Sequence, residues 1–542
     1  MTKMDRRTFM KTGLILGGSL ATSRMLDQGL AWSAVRDASS TTKRPNILLI
    51  ITDQQRNARH WPKGWVERNL PSQERLMKNG VTFTNAFTAA CECSPSRASF
   101  FTGTYPSVHG VVNTPPEAPH CLRPDQETMF KMMQRAGYKT AYKGKWHLTM
   151  PFGNPSENTW TPYDIDYLDK HYKVFGWNPP DAGISLSPDP SLGGGIPNND
   201  RRYVSGMDPG PTRQTPGMGT SAIDFLEDYD PSSGKPFFLV VSLANPHDVH
   251  VYPKGYESWG YDLNHFRDLD IELPGNLRDG LENKPSVQRV FMNAFNREFP
   301  LDNDRDRLFY TRFYAYLHQV VDREIMRLLN KLDERDLTGD TIIFRFSDHG
   351  EMGLSHGLRQ KMWNAYSETV NIPLIISNPR LFPKAQTSDA MVSLIDLMPT
   401  VAALAGTPGS YLETNGVHGK SLVPLIHDPG ARVQDGVLFT YDNAGDYFGI
   451  DDKRQPGHIR SIRQTDWMYA VYYTDSGDHV EYEMYNLRDD PYELMNLAYG
   501  SGDMGYRKVR QSLHDQLTEL LSTYRALPKG FKWPKKTGVS SA

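Results

Sequence analysis

Asn46-Ile47-Leu48-Leu49-Ile50-Ile51-Thr52 is an unbroken apolar run that is rich in β-branched residues. An apolar run of this length without polar alternation predicts a strand that is buried on both faces. Similar runs lie at Phe237–Leu243 and Thr341–Phe346, and a shorter one lies at Ile372–Ile376. These four segments are the predicted central strands.

Helical patterns separate the predicted strands along the chain. They lie at Gln126–Ala136, Thr220–Asp228 and Phe309–Leu332. Strands that alternate with helices are typical of an α/β fold. We therefore expect a large, mostly parallel central sheet that is flanked by helices.

The pattern changes after about residue 430. Four short strand candidates lie at Gly436–Thr440, Ile459–Ile462, Trp467–Tyr473 and Glu481–Tyr485, and a helical pattern follows from Tyr506 to Tyr524. Short strands separated by turns predict a small antiparallel sheet. The expected organisation is a main domain over residues 44–430 and a smaller α+β subdomain over residues 431–535.

Residues 1–33 are predicted to be a targeting signal rather than part of the fold. The basic segment Asp5–Lys11 contains the pair Arg6-Arg7, and a short, weakly apolar run follows at Thr12–Ala21. This arrangement resembles a twin-arginine export signal, and small residues near Ala31–Ser33 suit a cleavage site. We therefore expect a periplasmic or secreted bacterial protein that uses the twin-arginine export machinery.

The composition excludes several classes of protein. The chain has 542 residues, 38% of them hydrophobic, and a formal net charge of -3. The absence of a basic surplus argues against a nucleic-acid binder. Only three cysteines occur, which excludes a disulfide scaffold. Since no segment after the signal is apolar for long enough to span a bilayer, we do not expect an integral membrane protein.

Polar residues follow three of the predicted strands where each strand ends. These residues are Asp53-Gln54, Asn245-Pro246-His247 and Ser347-Asp348-His349-Gly350. In open α/β sheets, ligands bind beyond the carboxyl ends of the strands, so these clusters are expected to converge in one pocket. Oxygen ligands with one imidazole suit a hard divalent cation, Ca²⁺ first, with Mg²⁺ or Mn²⁺ as alternatives. The predicted metal ligands are Asp53, Gln54, Asp348 and His349.

A second concentration of chemistry lies in one segment, Cys93-Ser94-Pro95-Ser96-Arg97-Ala98-Ser99-Phe100-Phe101-Thr102-Gly103. Pro95 suits the first turn of a helix, and Gly103 suits its end. Cys93 would then lie at the positive end of the helix, with Arg97 one turn further along. This position favours a bound anion and is expected to lower the pKa of the thiol.

The segment resembles the signature of the type I sulfatases of the alkaline phosphatase superfamily, in which the cysteine of Cys-x-Pro-Ser-Arg is oxidised to formylglycine. Further motifs follow the order of that family. They are Thr52-Asp53-Gln54, Gly144-Lys145-Trp146-His147, Pro246-His247, and Ser347-Asp348-His349-Gly350-Glu351 followed by His356-Gly357 and Lys361. The resemblance covers residues 46 to about 376 and implies an alkaline-phosphatase-like fold and hydrolysis of a sulfate ester.

The resemblance also implies a role for each matching residue. Cys93, as formylglycine, would join the four predicted metal ligands, and its hydrate would attack sulfur. Arg97, Lys145 and Lys361 would neutralise the sulfate oxygens. His247 would protonate the leaving alcohol, and His147 would remove a proton so that sulfate is released. A formylglycine-generating or maturase enzyme is an implied partner, and it would act on Cys93 before export of the folded chain.

Three positions depart from the most common pattern of the family. Many sulfatases have a second Asp where this chain has Gln54, and Asn where it has His349. Both replacements keep an atom that ligates metals but make the site less negative, which leaves the metal less certain. Ser367 also separates Tyr366 from Glu368, which are usually adjacent.

Two other functions stay open on the sequence. Phosphonate monoester or phosphodiester hydrolases of the same superfamily share the oxidised cysteine and these metal pairs, but they tend to lack the motif that carries Lys145 and His147. A non-catalytic binding protein would keep Cys93 unmodified.

The substrate is also open among aryl, choline, steroid and carbohydrate sulfates. The irregular segment 151–215 is expected to be an insertion over the active-site face. Its residues Trp177, Arg201, Arg202 and Tyr203 are expected to line the mouth of the pocket. Cys91 and Cys121 are equally compatible with a disulfide and with free thiols.

Overall fold

The computed structural model describes residues 44–114, 120–152, 162–176, 197–205, 221–442, 450, 455–474, 476–500, 505–527 and 532–540. The predicted targeting signal over residues 1–33 and Trp177 lie outside these ranges. Within them, no helix is both long and apolar enough to cross a membrane.

The strands of the described residues fall into three sheets. In chain order the strands are β1 (Asn46–Asp53), β2 (Gly80–Phe83), β3 (Ala86–Phe87), β4 (Ala90–Cys91), β5 (Lys139–Gly144), β6 (Phe237–Pro246), β7 (Thr341–Ser347), β8 (Leu374–Ser377), β9 (Gln386–Ser388), β10 (Val392–Ser393), β11 (Gly436–Tyr441), β12 (His458–Gln464), β13 (Trp467–Tyr473) and β14 (Val480–Asn486).

Helices connect and cover these strands. The α-helices of the described residues are α1 (Trp65–Asn69), α2 (Pro71–Lys78), α3 (Cys93–Thr102), α4 (Pro106–His109), α5 (Met129–Arg135), α6 (Pro162–Tyr167), α7 (Pro197–Ser205), α8 (Ala222–Glu227), α9 (Ser286–Glu298), α10 (Asp304–Glu334), α11 (Ser367–Val370), α12 (Leu397–Ala405), α13 (Gly409–Thr414), α14 (Val423–His427) and α15 (Arg507–Thr523).

The central sheet has seven strands in the order β5-β6-β1-β7-β8-β2-β9. The four strands β5, β6, β1 and β7 run parallel, whereas β8 runs antiparallel to both β7 and β2. Every residue of β1 is buried, as its unbroken apolar sequence predicts. This topology confirms the predicted α/β fold with a large, mostly parallel sheet.

Helices bury both faces of the central sheet. Ile47, Leu49 and Ile51 pack on one face in a core cluster with residues of α3, α5 and α12. Leu48 and Ile50 pack on the opposite face with residues of α8 and α10. Alternate residues of one strand therefore hold two separate layers of helices against the sheet. Each fully buried Leu or Ile contributes about 2 kcal/mol to this packing.

The second sheet has five strands in the order β14-β13-β12-β11-β4. Strands β11 to β14 form an antiparallel meander, and α15 packs on it through Leu513, Leu517 and Leu521. This arrangement confirms the predicted antiparallel sheet with a covering helix. The fifth strand, β4, pairs in parallel with β11 and ends at Cys91, two residues before Cys93. The second sheet therefore anchors the chain at the start of α3.

The segment that was expected to cover the active-site face is described only in part. Its helix α7 contacts the carboxyl end of β6, where the Asp200 carboxylate accepts hydrogen bonds from the backbone N–H groups of Ala244 and Asn245 at 2.6 and 3.1 Å. Tyr203, however, is fully buried in the core cluster that contains α10. The expectation that Tyr203 lines the pocket mouth is therefore wrong, because its side chain packs into the core.

Candidate active site

The carboxyl ends of three parallel strands bring the predicted site residues together. Residue Thr52 of β1 is paired with Ser347 of β7, and Asp53 is paired with Pro246 of β6. Asp53, His247 and Asp348 therefore emerge at one edge of the central sheet, as the strand-end rule predicts.

Four side chains converge at this edge. Asp53, Cys93, Asp348 and His349 each place one potential ligand atom within 4.8 Å of the others, and all four residues are buried. The Cys93 Sγ lies 3.1 Å from His349 Nε2 and 3.7 Å from Asp53 Oδ1. We call this group the site cluster.

His349 presents a lone pair to the site cluster. Its Nδ1 lies 2.9 Å from the carbonyl oxygen of Gly350, which can only accept, so Nδ1 carries the hydrogen. Burial lowers the pKa of His349 from 6.5, which favours the neutral imidazole. In the neutral ring Nε2 is then unprotonated and faces Cys93, the arrangement that a metal-ligating histidine requires.

Helix α3 begins at Cys93 and ends as its sequence predicts. Pro95 lies in the first turn, and Gly103 has a φ of 66° with its N–H donating to the carbonyl of Ser99. A left-handed residue at this position costs glycine little, which explains why the helix stops there. Cys93 is thus fixed at the N-terminus of a short helix whose residues are all buried.

Arg97 pairs with both carboxylates of the site cluster. Its Nε donates to Asp348 Oδ2 at 3.0 Å, and its Nη2 lies 2.9 Å from carboxylate oxygens of both Asp53 and Asp348. Its Nη1 donates to the carbonyl of Lys145 at 3.0 Å and to Ser242 Oγ at 2.7 Å. These contacts engage all three guanidinium nitrogens. Arg97 therefore holds the two carboxylates in place, and its contact with a sulfate oxygen stays a prediction.

The expectation of a lowered thiol pKa is also wrong. Burial and the neighbouring Asp53 carboxylate raise the pKa of Cys93 to about 12. The charges of Lys145 and Lys361 act in the opposite direction but do not outweigh these two effects. An unmodified Cys93 would accordingly be a weak nucleophile near neutral pH.

Both predicted lysines reach the site cluster or its immediate neighbour. Lys145 Nζ lies 2.8 Å from Asp53 Oδ2, and Lys361 Nζ donates to Gln54 Oε1 at 2.6 Å. Although burial opposes it, the charges of Lys145 and Arg97 hold the pKa of Asp53 well below its usual range. Burial and the neighbouring Asp53 raise the pKa of Asp348 from 3.8. The Asp53 carboxylate is therefore held in its charged form more strongly than the Asp348 carboxylate.

The two predicted proton-transfer histidines lie near the same two lysines. Burial and then the charge of Lys145 lower the pKa of both His147 and His247 well below 6.5, and Lys361 acts on both in the same direction. His247 opens a short 3₁₀ helix, His247–Val251, directly after β6. Both imidazoles are therefore neutral near pH 7 in the protein without substrate.

Sequence reasoning missed Ser242 and gave no role to Glu351. Ser242, the one polar residue in the apolar run Phe237–Leu243, holds Arg97, so its isolation in that run is a signal that could have found it. Glu351 accepts a hydrogen bond from Gln54 Nε2 at 2.5 Å. No sequence signal identifies that contact, because the two residues are 297 positions apart.

The potential metal-ligand atoms of the site cluster suit a hard divalent cation. Two carboxylates and one neutral imidazole converge, and the backbone N–H groups of Gln54 and His349 fix Asp348 Oδ1 at 3.1 and 2.9 Å. Oxygen-rich sets of this kind suit Ca²⁺, Mg²⁺ or Mn²⁺. Gln54 Oε1 adds a further neutral oxygen beside the cluster.

Comparison with known proteins identifies the family. The sequence profile of the sulfatases matches residues 45–407, and the profile described as N-sulphoglucosamine sulphohydrolase, C-terminal, matches residues 354–523. The uncharacterized sulfatase YidJ of Escherichia coli is 28% identical over 504 residues, which cover 91% of this chain and 90% of that protein.

Solved structures share the fold at lower identity. A protein in complex with its substrate D-glucosamine-2-N,6-O-disulfate has a TM-score of 0.64 at 22% identity and covers 90% of this chain and 100% of its own. The phosphonate monoester hydrolase of Silicibacter pomeroyi has a TM-score of 0.61 at 21% identity, with 90% and 96% covered. These likenesses confirm the alkaline-phosphatase-like fold. Together with the profile that matches residues 45–407, they show that the chain belongs to the sulfatase family of the alkaline phosphatase superfamily and is a sulfuric ester hydrolase.

Proposed function

We propose that the chain hydrolyses a sulfate ester to an alcohol and inorganic sulfate through formylglycine produced from Cys93, with a divalent cation at the site cluster. The observation that carries the proposal is the convergence of Cys93 with Asp53, Asp348 and His349 within 4.8 Å. A thiol whose pKa is raised to about 12 is unsuited to direct attack, which supports a chemically modified residue at this position.

The residues that would hold the cation are Asp53, Gln54, Asp348 and His349, together with residue 93. We expect Ca²⁺, with Mg²⁺ or Mn²⁺ as alternatives. The cation would act as a Lewis acid that acidifies a hydroxyl and draws charge from the sulfate oxygens. A hydrated aldehyde at position 93 would supply one hydroxyl for attack and a second that permits release of sulfate.

The protein supplies fixed positive charge around the reacting group. Lys145 and Lys361 lie at the site with their ammonium groups on Asp53 Oδ2 and Gln54 Oε1. Each ammonium keeps further N–H groups with which to bind a sulfate oxygen. Arg97 holds Asp53 and Asp348 in place. Preorganised charge of this kind stabilises the negative charge that develops in the transition state.

The two histidines are suited to move protons. The pKa of His247 is lowered in the free protein, and a bound sulfate ester brings a negative charge that favours the protonated ring. His247 would then donate this proton to the leaving alcohol. His147 is neutral and buried beside Lys145, so it is suited to accept a proton when sulfate is released.

Lys145 and His147 favour sulfate over the phosphonate alternative. The test compares kcat/KM for an aryl sulfate and an aryl phosphonate monoester in the wild type, in Lys145→Met and in Lys143→Met. Lys143 is a matched control, because it lies on β5 two residues before Lys145 but donates to the carbonyl of Gly176 instead of the site. We expect preference for the sulfate and a loss confined to Lys145→Met. A large preference for the phosphonate would contradict the proposal.

For the alcohol, we propose a sulfated saccharide. The proposal is supported by the C-terminal profile named for N-sulphoglucosamine sulphohydrolase and by the solved neighbour bound to a glucosamine disulfate. A screen of sulfated monosaccharides, choline sulfate and aryl sulfates tests it. Higher kcat/KM for choline sulfate or a simple aryl sulfate than for every saccharide would contradict it.

We also propose that the chain is oxidised at Cys93 by a maturase in the cytoplasm and then exported by the twin-arginine machinery. The support is the pair Arg6-Arg7 before the apolar run Thr12–Ala21. Replacing both arginines with lysine should leave the protein in the cytoplasm with residue 93 still oxidised. Export of that double variant, or a thiol at residue 93 in exported wild type, would contradict this order.

A further inference from the structure

Glu351 is a buried glutamate that the proposed mechanism does not use. It is 0% exposed, and its Oε1 accepts hydrogen bonds from Tyr310 Oη at 2.7 Å, Gln360 N at 2.8 Å and Gly353 N at 3.1 Å. Three donors on one oxygen fix the carboxylate in position. Its other oxygen, Oε2, faces Gln54.

The side-chain amide of Gln54 lies between a carboxylate, which accepts its hydrogen bond, and an ammonium group, which donates one to it. Its Nε2 donates to Glu351 Oε2 at 2.5 Å, and its Oε1 accepts from Lys361 Nζ at 2.6 Å. A carboxylate only accepts hydrogen bonds, and an ammonium group only donates them. Both contacts therefore require the same orientation of the amide, with the NH₂ toward Glu351 and the carbonyl oxygen toward Lys361.

The backbone of Gln54 is fixed independently of its side chain. Its φ is 64°, its N–H donates to Asp348 Oδ1 at 3.1 Å, and its carbonyl accepts from Tyr314 Oη at 2.6 Å. The remaining freedom at this position is the orientation of the side-chain amide. A flipped amide would turn its NH₂ toward the ammonium of Lys361, where two donors would oppose each other.

We propose that Glu351 is a positioning residue that orients the Gln54 amide so that its carbonyl oxygen, and not its NH₂, faces the divalent cation. The inference rests on the proposed function, since it assumes a cation at the site cluster. Gln54 and Glu351 then form a matched pair. A carboxylate at position 54 would face the Glu351 carboxylate at hydrogen-bond distance, and two like charges in a buried position repel strongly.

The test measures the dissociation constant of Ca²⁺, and separately of Mn²⁺, by calorimetric titration of the metal-free full-length chain. The variants are Glu351→Gln, Gln54→Glu and the double exchange of both. Loss of a group that orients a metal ligand typically weakens metal binding about 10- to 100-fold, and we expect this for Glu351→Gln. The double exchange restores one carboxylate and one amide, so we expect binding tighter than in either single variant.

A control separates positioning from general stability. Glu483 is another fully buried glutamate, and its carboxylate accepts from Tyr366, Tyr472 and Tyr485 at 2.6 to 2.8 Å, away from the site cluster. We expect Glu483→Gln to lower the melting temperature without changing the dissociation constant. Should Glu351→Gln fail to fold, the double exchange still provides the test, because its amide and carboxylate are paired again.

The outcomes distinguish this inference from the proposed function. A wild type that binds none of Ca²⁺, Mg²⁺ or Mn²⁺ would overturn the proposed cation site and the inference with it. A wild type that binds a cation while folded Glu351→Gln binds it equally well would overturn the inference alone. The inference would also fail if the double exchange bound the cation no better than Gln54→Glu.

Discussion

The protein buries two carboxylate clusters that are built in opposite ways. The site cluster, at the carboxyl edge of the central sheet, brings Asp53 and Asp348 together with Cys93 and His349. The second, which we call the tyrosine cluster, lies between the second sheet and the N-terminal part of α9. It comprises Glu483 and Glu493 with Lys284, Gln288, Tyr366, Arg463, Tyr472 and Tyr485.

The difference lies in the direction of the polar atoms. In the tyrosine cluster, donors point at each carboxylate: Glu493 Oε1 accepts from Arg463 Nη2 at 2.6 Å, and its Oε2 accepts from Ser367 N at 2.8 Å. In the site cluster, Arg97 and Lys145 also hold the carboxylates, but ligand atoms of four residues, Asp53, Cys93, Asp348 and His349, converge within 4.8 Å of one another as well. Buried polar groups without complementary partners are costly, so convergence of acceptors marks a site for a cation, whereas burial alone does not.

The largest expected effect is at Cys93. Cys93→Ser, with mass spectrometry showing the serine to be unoxidised, should lower kcat by about 10⁴-fold or more, as removal of a catalytic nucleophile does, because its single hydroxyl leaves no route for release of sulfate. The measurement is steady-state hydrolysis of an aryl sulfate, with Cys121→Ser as the control that keeps activity. Substantial turnover by purified Cys93→Ser would contradict the claim that the site cluster is catalytic and the tyrosine cluster is not.

Asp53→Asn should have the next largest effect. The change removes a charged oxygen that faces the site and leaves Arg97 and Lys145 without one of their partners. We expect kcat/KM to fall on the order of 10³-fold, comparable with the loss of a main electrostatic stabiliser, and cation binding to weaken. Unchanged cation affinity in a folded Asp53→Asn protein would show that Asp53 is not a ligand.

In the tyrosine cluster the corresponding change should affect stability alone. Glu493→Gln leaves the buried guanidinium of Arg463 without its charged partner, which should lower the free energy of unfolding by about 3 kcal/mol. Chemical denaturation measures this loss, and cation titration of the folded variant should match the wild type. A weakened cation affinity would mean that the two clusters are coupled.

The dependence of cation binding on pH should be the smallest effect. The pKa of Asp348 is raised from 3.8 and that of His349 is lowered from 6.5, both mainly by burial. Protonation of either removes a ligand, so affinity should be constant above pH 6.5 and fall at more acid pH, by about tenfold per pH unit once the pH lies below the pKa of either group. Calorimetric titration across this range measures it. Affinity that rises toward acid pH would contradict the ligand assignment.

The sequence predicts the elements that depend on local pattern. The run Asn46–Thr52 predicts β1 because a central strand is apolar on both faces. The observed strand is one residue longer and ends at Asp53. The shorter run Ile372–Ile376 predicts a strand, observed at Leu374–Ser377, but its antiparallel direction is set by its neighbours and not by its composition. Direction therefore required the structure.

At the site, sequence predicts which residues meet but not how they pair. The motifs place Asp53, Cys93 and Asp348 in one pocket, which the structure does. The sequence could not show that Arg97 pairs with both carboxylates, since its partners come from β1, β6 and the segments that follow β5 and β7. The raised pKa of Cys93 was equally out of reach, because it depends on burial and on the Asp53 carboxylate, which is 40 positions away in sequence and close only in the fold.

The most direct test of the central claim is mass spectrometry of the peptide that contains residue 93, from protein purified from its native host and active on a sulfate ester. The account predicts the mass of formylglycine at this position. Across preparations, kcat should rise in proportion to the fraction of chains that carry formylglycine. A fully active preparation in which residue 93 is an unmodified cysteine would contradict it.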